Sequence, residues 1–117
     1  MKQLNKTKGN INEDKAVDYI KKNTKLKILE RNFSCKLGEI DIIAFDKKEN
    51  SYVFVEVKYR KDSTFGLGRE TVDVYKQRKI INVAQCYLNI LEKRNSKLRF
   101  AVVDILGDEI TFIDNAF

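Results

Sequence analysis

Three charged residues sit where charge is costly. In GEIDIIAFDKKENSYVFVEVKYR, residues 38–60, Asp41, Glu56 and Lys58 interrupt two runs of apolar and β-branched residues. An ionised group buried without a partner is strongly unfavourable, so each of the three needs a partner or a task. Folding the segment about KKEN, residues 47–50, shows which residues meet, because a four-residue and a two-residue loop give the same pairing. Phe45 then faces Tyr52, Ile43 faces Phe54 and Ile42 faces Val55. One step further, Asp41 comes opposite Glu56; beyond it, Glu39 comes opposite Lys58. Directly opposed residues have Cβ atoms about 4.5–5.5 Å apart, and like charges there destabilise a sheet.

Three arrangements relieve an opposed acidic pair: one carboxyl keeps its proton, a lysine sits between the two, or a divalent cation bridges them. Oxygen-only donors suit Mg²⁺ or Mn²⁺. Lys58 lies two residues beyond Glu56 and so shares its strand face. Two carboxylates, a cation and a lysine can hydrolyse a phosphodiester. The cation lowers the pKa of a bound water, and the lysine orients that water or offsets charge growing on the phosphate. A competing reading makes Glu56 and Lys58 part of a solvated face, with Glu39–Lys58 an ordinary surface pair. The face Tyr52, Phe54, Glu56, Lys58 begins apolar and turns charged, which favours a site at the edge of a core.

The elements around these residues follow from periodicity. Asn10 or Asn12 is positioned to cap a helix reaching about Asn23, with Ala16, Val17 and Ile20 on its apolar face. Glu13 stands at the polar end of that stripe. Residues 26–33 and 36–45 read as strands, broken near Ser34, and 52–59 as a central strand. A loop over 60–69 carries Gly66 and Gly68. Residues 70–94 form a long helix whose face is Ile80, Ala84, Tyr87, Leu88 and Leu91. Residues 98–106 and EITFI, 109–113, are the last strands. The order is αβββαββ. It predicts an α/β fold in which an antiparallel meander is followed by a helical crossover to a parallel strand, giving a mixed sheet flanked by helices.

A chain of 117 residues suits one domain, spanning 1–117 with residues 1–9 expected to be frayed. No run reaches the roughly 18 apolar residues of a membrane span, and the first residues lack the apolar stretch of a secretory signal. A cytoplasmic protein without a membrane partner is the expectation. Two cysteines and no histidine fall short of a four-ligand zinc site. The lack of histidine also removes the commonest general base, leaving carboxylates, lysines and metal-bound water for any catalysis. A net charge of +6 favours an anionic partner, with nucleic acid the commonest. Candidate phosphate contacts are Arg60, Lys61 and Arg69 around the glycine loop, and Lys76, Arg78 and Lys79 on the long helix. Ordinary solvation is the competing reading for each. Lys76, one turn before Ile80, either lays its stem over the core or points its ammonium at a phosphate.

Asp41 followed by Glu56-Val57-Lys58 on the next strand resembles the D…(D/E)xK signature of restriction-endonuclease-like nucleases, and the αβββαβ order resembles their core. The chain also resembles, over nearly its whole length, the YraN-like uncharacterised protein family 0102, described as endonuclease-like. The residues that carry this are Gly9, Glu13 and Ala16, then Arg31-Asn32. Gly38-Glu39-Ile40-Asp41-Ile42-Ile43-Ala44 and Val53-Phe54-Val55-Glu56-Val57-Lys58 with Arg60 form the central blocks. Gly66, Lys76, Ala84, Tyr87-Leu88 and the ending Asn115-Ala116-Phe117 complete the pattern. Asn12 departs from it, standing where the family often has glycine.

The resemblance implies a restriction-endonuclease-like fold related to archaeal Holliday-junction resolvases. It also implies an Mg²⁺- or Mn²⁺-dependent nuclease site of Asp41, Glu56 and Lys58, with Glu13 beside the metal. Branched or structured nucleic acid is the implied substrate, with DNA ahead of RNA. A homodimer is expected by analogy with resolvases, whose substrate is two-fold symmetric. The alternative is a nucleic-acid-binding or assembly module that keeps the fold without turnover.

Overall fold

The computed structural model describes residues 8–61 and 73–117, with residues 8–10 described by their backbone alone. The elements run α1 (Lys8–Asn23), β1 (Lys27–Cys35), β2 (Gly38–Asp46), β3 (Ser51–Arg60), α2 (Val74–Ile90), β4 (Lys97–Leu106) and β5 (Glu109–Ile113). The five strands form one mixed sheet in the order β1-β2-β3-β4-β5, antiparallel except for the parallel pair β3–β4. This is the α/β architecture and the αβββαββ order that the sequence pattern predicts.

The two faces of the sheet bury different helices. On one, Ala16, Val17 and Ile20 of α1 pack against Ile42, Val53, Val55 and Val103. On the other, Ile80, Val83, Ala84, Tyr87 and Leu88 of α2 pack against Ile43, Tyr52, Phe54, Phe100 and Val102. The alternation along β3 divides the faces: 53 and 55 go to α1, 52 and 54 to α2. Phe117 stacks on Phe100 with ring centroids 4.9 Å apart, and the Ala116 N–H donates to the Phe100 carbonyl. The ending Asn115-Ala116-Phe117 therefore closes the α2-side core.

Several boundaries differ from expectation, and local features account for them. Helix α1 already includes Asn10 and Asn12, so neither caps it. Strand β1 continues to Cys35, which pairs with Gly38 across a two-residue turn. Gly38 has φ +142°, and a Cβ there would lie 3.3 Å from Val83 Cγ2, so the turn needs both glycine's freedom and its small size. Helix α2 stops at Ile90, short of 94, because Glu92 turns left-handed (φ 57°) and the Lys93 N–H bonds back to the Leu88 carbonyl at 2.8 Å. At its other end Asp73 is the N-cap, its Oδ1 accepting from the Lys76 N–H at 2.8 Å. Replacing Asp73 with alanine is expected to destabilise the protein by about 1 kcal/mol, measurable as a lower urea midpoint at unchanged slope.

Candidate active site

Strand β3 carries the site out of the core. Tyr52 and Phe54 lie under α2; Glu56, next on the same face, remains only 6% exposed. A carboxylate that deep needs cations, and helix α2 provides the nearest. Lys76 Nζ lies 2.9 Å from Glu56 Oε2, and Lys58 Nζ lies 3.9 Å from the same oxygen. Lys76 thus points its ammonium inward. Burial works against that charge, but the hydrogen bond and charge of Glu56 outweigh it and raise the Lys76 pKa. Lys58 goes the other way: burial lowers its pKa, the Lys76 charge lowers it further, and Glu56 offsets only part of this.

Asp41 reaches the same place from β2. The hairpin pairs Phe45 with Tyr52, Ile43 with Phe54 and Ile42 with Val55, as the sequence register predicts, and its ladder ends there. At the next step a side chain replaces the ladder: Asp41 Oδ2 accepts from the Val57 N–H at 2.8 Å. On the β1 side the register runs on unchanged from Arg31–Ile42 to Phe33–Ile40, but Asn32, left-handed at φ 53°, and Asp41 are not ladder partners. Asp41 therefore sits beyond the end of the β2–β3 ladder and has no ladder partner on β1. Burial, followed by the charge of Glu56, raises its pKa from 3.8 to about 7, against the pull of the Val57 N–H; Glu13 adds to the rise. The two carboxylates converge, and two of the three reliefs open to an acidic pair are available: lysines at Glu56 and, below about pH 7, a proton kept on Asp41.

Asp41 and Glu56 both line a pocket of about 450 Å³ with Asp73, Lys76 and Lys79. On the α1 side, Asp41 also lines a second pocket of about 330 Å³ with Asn12, Glu13 and Asn32. The donors facing the first pocket are carboxylate oxygens. Such a pair fits Mg²⁺ or Mn²⁺, hard cations that keep several waters when few protein ligands are offered. Among the described residues no group of three or more acidic or sulfur side chains is assembled for a metal.

The sequence profile of uncharacterised protein family UPF0102 matches residues 12–105. This chain belongs to that family. Among its UPF0102 relatives, a protein of Fusobacterium nucleatum is 47% identical over 107 residues, covering 92% of this chain and 87% of the relative. One from Caldanaerobacter subterraneus is 45% identical over 106 residues, covering 90% and 84%. One from Clostridioides difficile is 44% identical over 115 residues, covering 97% and 98%. Among solved structures, the crystal structure of a repair endonuclease from Pyrococcus abyssi is similar at 19% identity and a TM-score of 0.46. That comparison covers 92% of this chain and 42% of the endonuclease, so this chain spans less than half its length.

In this UPF0102 chain the remaining candidates are distributed as follows. Glu13 is near enough for its charge to reach Asp41, yet its Oε1 is already held by Arg31 Nε at 3.3 Å, Arg31 Nη2 at 3.2 Å and Asn32 Nδ2 at 2.9 Å. Lys79 lines the acid-pair pocket, whereas Arg78 and Lys61 are exposed outside it. Arg60 is not at a phosphate surface. It is buried, with Nε 3.3 Å from Asp104 Oδ1 and Nη2 2.9 Å from Asp104 Oδ2. Its position on β3 beyond the exposed Tyr59 returns it to the sheet, where β4 offers the acid. Arg69 and the glycine loop lie outside the described residues. Glu39 forms no ion pair with Lys58 among the described residues, the β2–β3 ladder having ended before it; on the β1 side it is the register partner of Ser34, and it lines the acid-pair pocket. No helix among the described residues is long and apolar enough to cross a membrane.

The reading from sequence missed two partnerships. Asp104 is a charge inside the apolar run LRFAVVDIL, the same signal that singled out Asp41. Arg31-Asn32 was visible as a polar pair, but that both residues donate to Glu13 is set by how α1 lies against β1.

Proposed function

We propose that this protein is a metal-dependent phosphodiester hydrolase acting on structured or branched nucleic acid, with DNA favoured over RNA. The observation that supports this most is the convergence of Asp41 and Glu56 from neighbouring strands, with Lys58 and Lys76 at the same oxygen of Glu56. Asp41 and Glu56 would hold Mg²⁺ or Mn²⁺, which when bound supplies an activated water and neutralises phosphate charge. Val57 fixes the Asp41 carboxylate through its N–H, so the donor is oriented before any ligand arrives. Lys76 and Lys79 draw the phosphate into the pocket. Lys58, its proton loosened by burial and by Lys76, orients the attacking water or donates to a phosphate oxygen. Glu13, clamped by Arg31 and Asn32, acts on Asp41 through its charge.

The test is cleavage of branched DNA, flaps and single strands with Mg²⁺ or Mn²⁺. Wild type should cut at least one of these, and Glu56→Ala should cut it at least about 100-fold more slowly, equivalent to about 2.7 kcal/mol at the transition state. Absence of cleavage by wild type in every condition would sink the hydrolase.

A second reading has its own observation. Lys76 Nζ sits 2.9 Å from Glu56, where a cation would bind, and Glu13 is already engaged. A binding module without turnover keeps such an internally neutralised site. Calorimetry with Mn²⁺ separates the two: heat of binding in wild type and none in Asp41→Asn marks the hydrolase. Salt-dependent nucleic-acid binding without Mn²⁺ uptake marks the module.

A further inference from the structure

Asn12 has no function in the site described above, and its setting is unusual. It lies within α1, is 7% exposed, and its amide makes no hydrogen bond among the described residues. The residue is buried, yet its amide is not shut off from solvent: it reaches solvent through the α1-side pocket, where its donor and acceptor are open to a ligand. This amide lines the 330 Å³ pocket on the α1 side, together with Asn32, Asp41 and Tyr59. That volume is at the small end of the roughly 300–1,000 Å³ typical of ligand sites.

The pocket offers two kinds of recognition. An asparagine amide presents a donor and an acceptor side by side, the pattern that pairs with the edge of a nucleobase. Tyr59, 39% exposed, presents an aromatic surface on which a base can stack. Asp41 belongs both to this pocket and to the one that holds Glu56, Lys76 and Lys79. A nucleotide strand crossing at Asp41 therefore meets lysines on one side of the sheet end, and an amide with an aromatic ring on the other.

We infer that the pocket of Asn12 and Tyr59 is a nucleobase subsite, which takes one unpaired base next to the phosphate held at Asp41 and Glu56. A base stacked within a duplex cannot enter it. The substrate class is narrowed to single strands, flaps, loops and bases extruded from a junction. The inference rests on the acid pair being a phosphodiester site.

The test compares binding of two labelled oligonucleotides of equal length by fluorescence anisotropy in EDTA, one a normal single strand and the other abasic throughout. Wild type should bind the normal strand about tenfold more tightly than the abasic strand. Asn12→Ala and Tyr59→Ala should each reduce that ratio several-fold while leaving the abasic affinity in place. Lys79→Gln should weaken both strands alike and keep the ratio. The ratio is insensitive to partial unfolding, and Tyr59, on the surface, provides a second variant beside the buried Asn12. Equal affinity of wild type for the two strands, or an unchanged ratio in both pocket variants, overturns the subsite and leaves the phosphodiester reading standing. Failure to bind either strand likewise overturns the subsite, while the phosphodiester reading is judged by cleavage with Mg²⁺ or Mn²⁺.

Discussion

Replacing Arg60 with methionine should lower the free energy of unfolding by about 3–5 kcal/mol, the range for a buried ion pair that loses one partner. The Arg60 and Asp104 side chains are only 8% and 10% exposed, and the contact is two-pronged. Methionine keeps most of the stem's packing volume but leaves the Asp104 carboxylate buried without its guanidinium. The double replacement Arg60→Met with Asp104→Leu removes both charges and should return to within about 1–2 kcal/mol of wild type, since apolar substitutes often match a buried pair. Urea unfolding followed by circular dichroism measures this, with the slope expected to stay constant. A single variant costing under about 1 kcal/mol would show that the pair contributes little. The pair also bears on function: Arg60 ends the strand that carries Glu56 and Lys58, and ties it to β4 at the Asp104 level. The single variant should therefore also weaken Mn²⁺ binding, and the double variant should restore it.

Arg60 also shows where reading from sequence loses its grip. Counting basic residues next to a glycine loop treats each as an exposed phosphate contact, because composition has no depth coordinate. Depth comes from the partner strand, and Asp104 sits 44 positions away. The hairpin, by contrast, was legible in full. Its partners are adjacent in sequence, and strand alternation leaves one register that buries Ile42, Ile43, Phe54 and Val55 together. The same reasoning placed Asp41 beside Glu56 for a partly wrong reason. It extended the ladder one step beyond its end, whereas the carboxylates meet because Asp41 turns onto the Val57 N–H where the sheet opens. At the same level Asn32 on β1 adopts a left-handed conformation, which asparagine tolerates but its neighbours do not announce. Lys76 was legible as a residue one turn before Ile80 on a buried face; which acid it meets is set by how α2 lies on the sheet. Asn12 was misplaced as a cap because asparagine favours caps, a preference that tertiary burial overrides here.

The second large effect concerns pH. Asp41 has its carboxyl raised from 3.8 to about 7 by burial and then by Glu56. The folded state thus holds a proton more tightly than the unfolded chain, so between pH 4 and 7 the unfolded state binds fewer protons and stability falls as pH rises. Below that window both states are protonated and the contribution is fully present; above it the carboxylate is charged against Glu56 and the contribution is gone. A rise of about 3 pH units corresponds to an effect on the order of 4 kcal/mol, with pocket water reducing it.

Asp41→Asn removes the titration yet keeps an oxygen for the Val57 N–H. In EDTA the variant should therefore be more stable than wild type at pH 8, by an amount that shrinks towards pH 4. Mg²⁺ or Mn²⁺ should act on wild type and not on the variant. In wild type, cation uptake releases the Asp41 proton, raises stability at pH 8 and flattens its pH slope; in Asp41→Asn it should do neither. Unfolding in urea across pH 4–8, with and without the cation, measures all of this. If wild type does not lose stability relative to Asp41→Asn between pH 4 and 8, Asp41 and Glu56 do not crowd each other. If the slope is present but the cation leaves it untouched, the crowding is real, and Lys76 and the proton are its whole resolution.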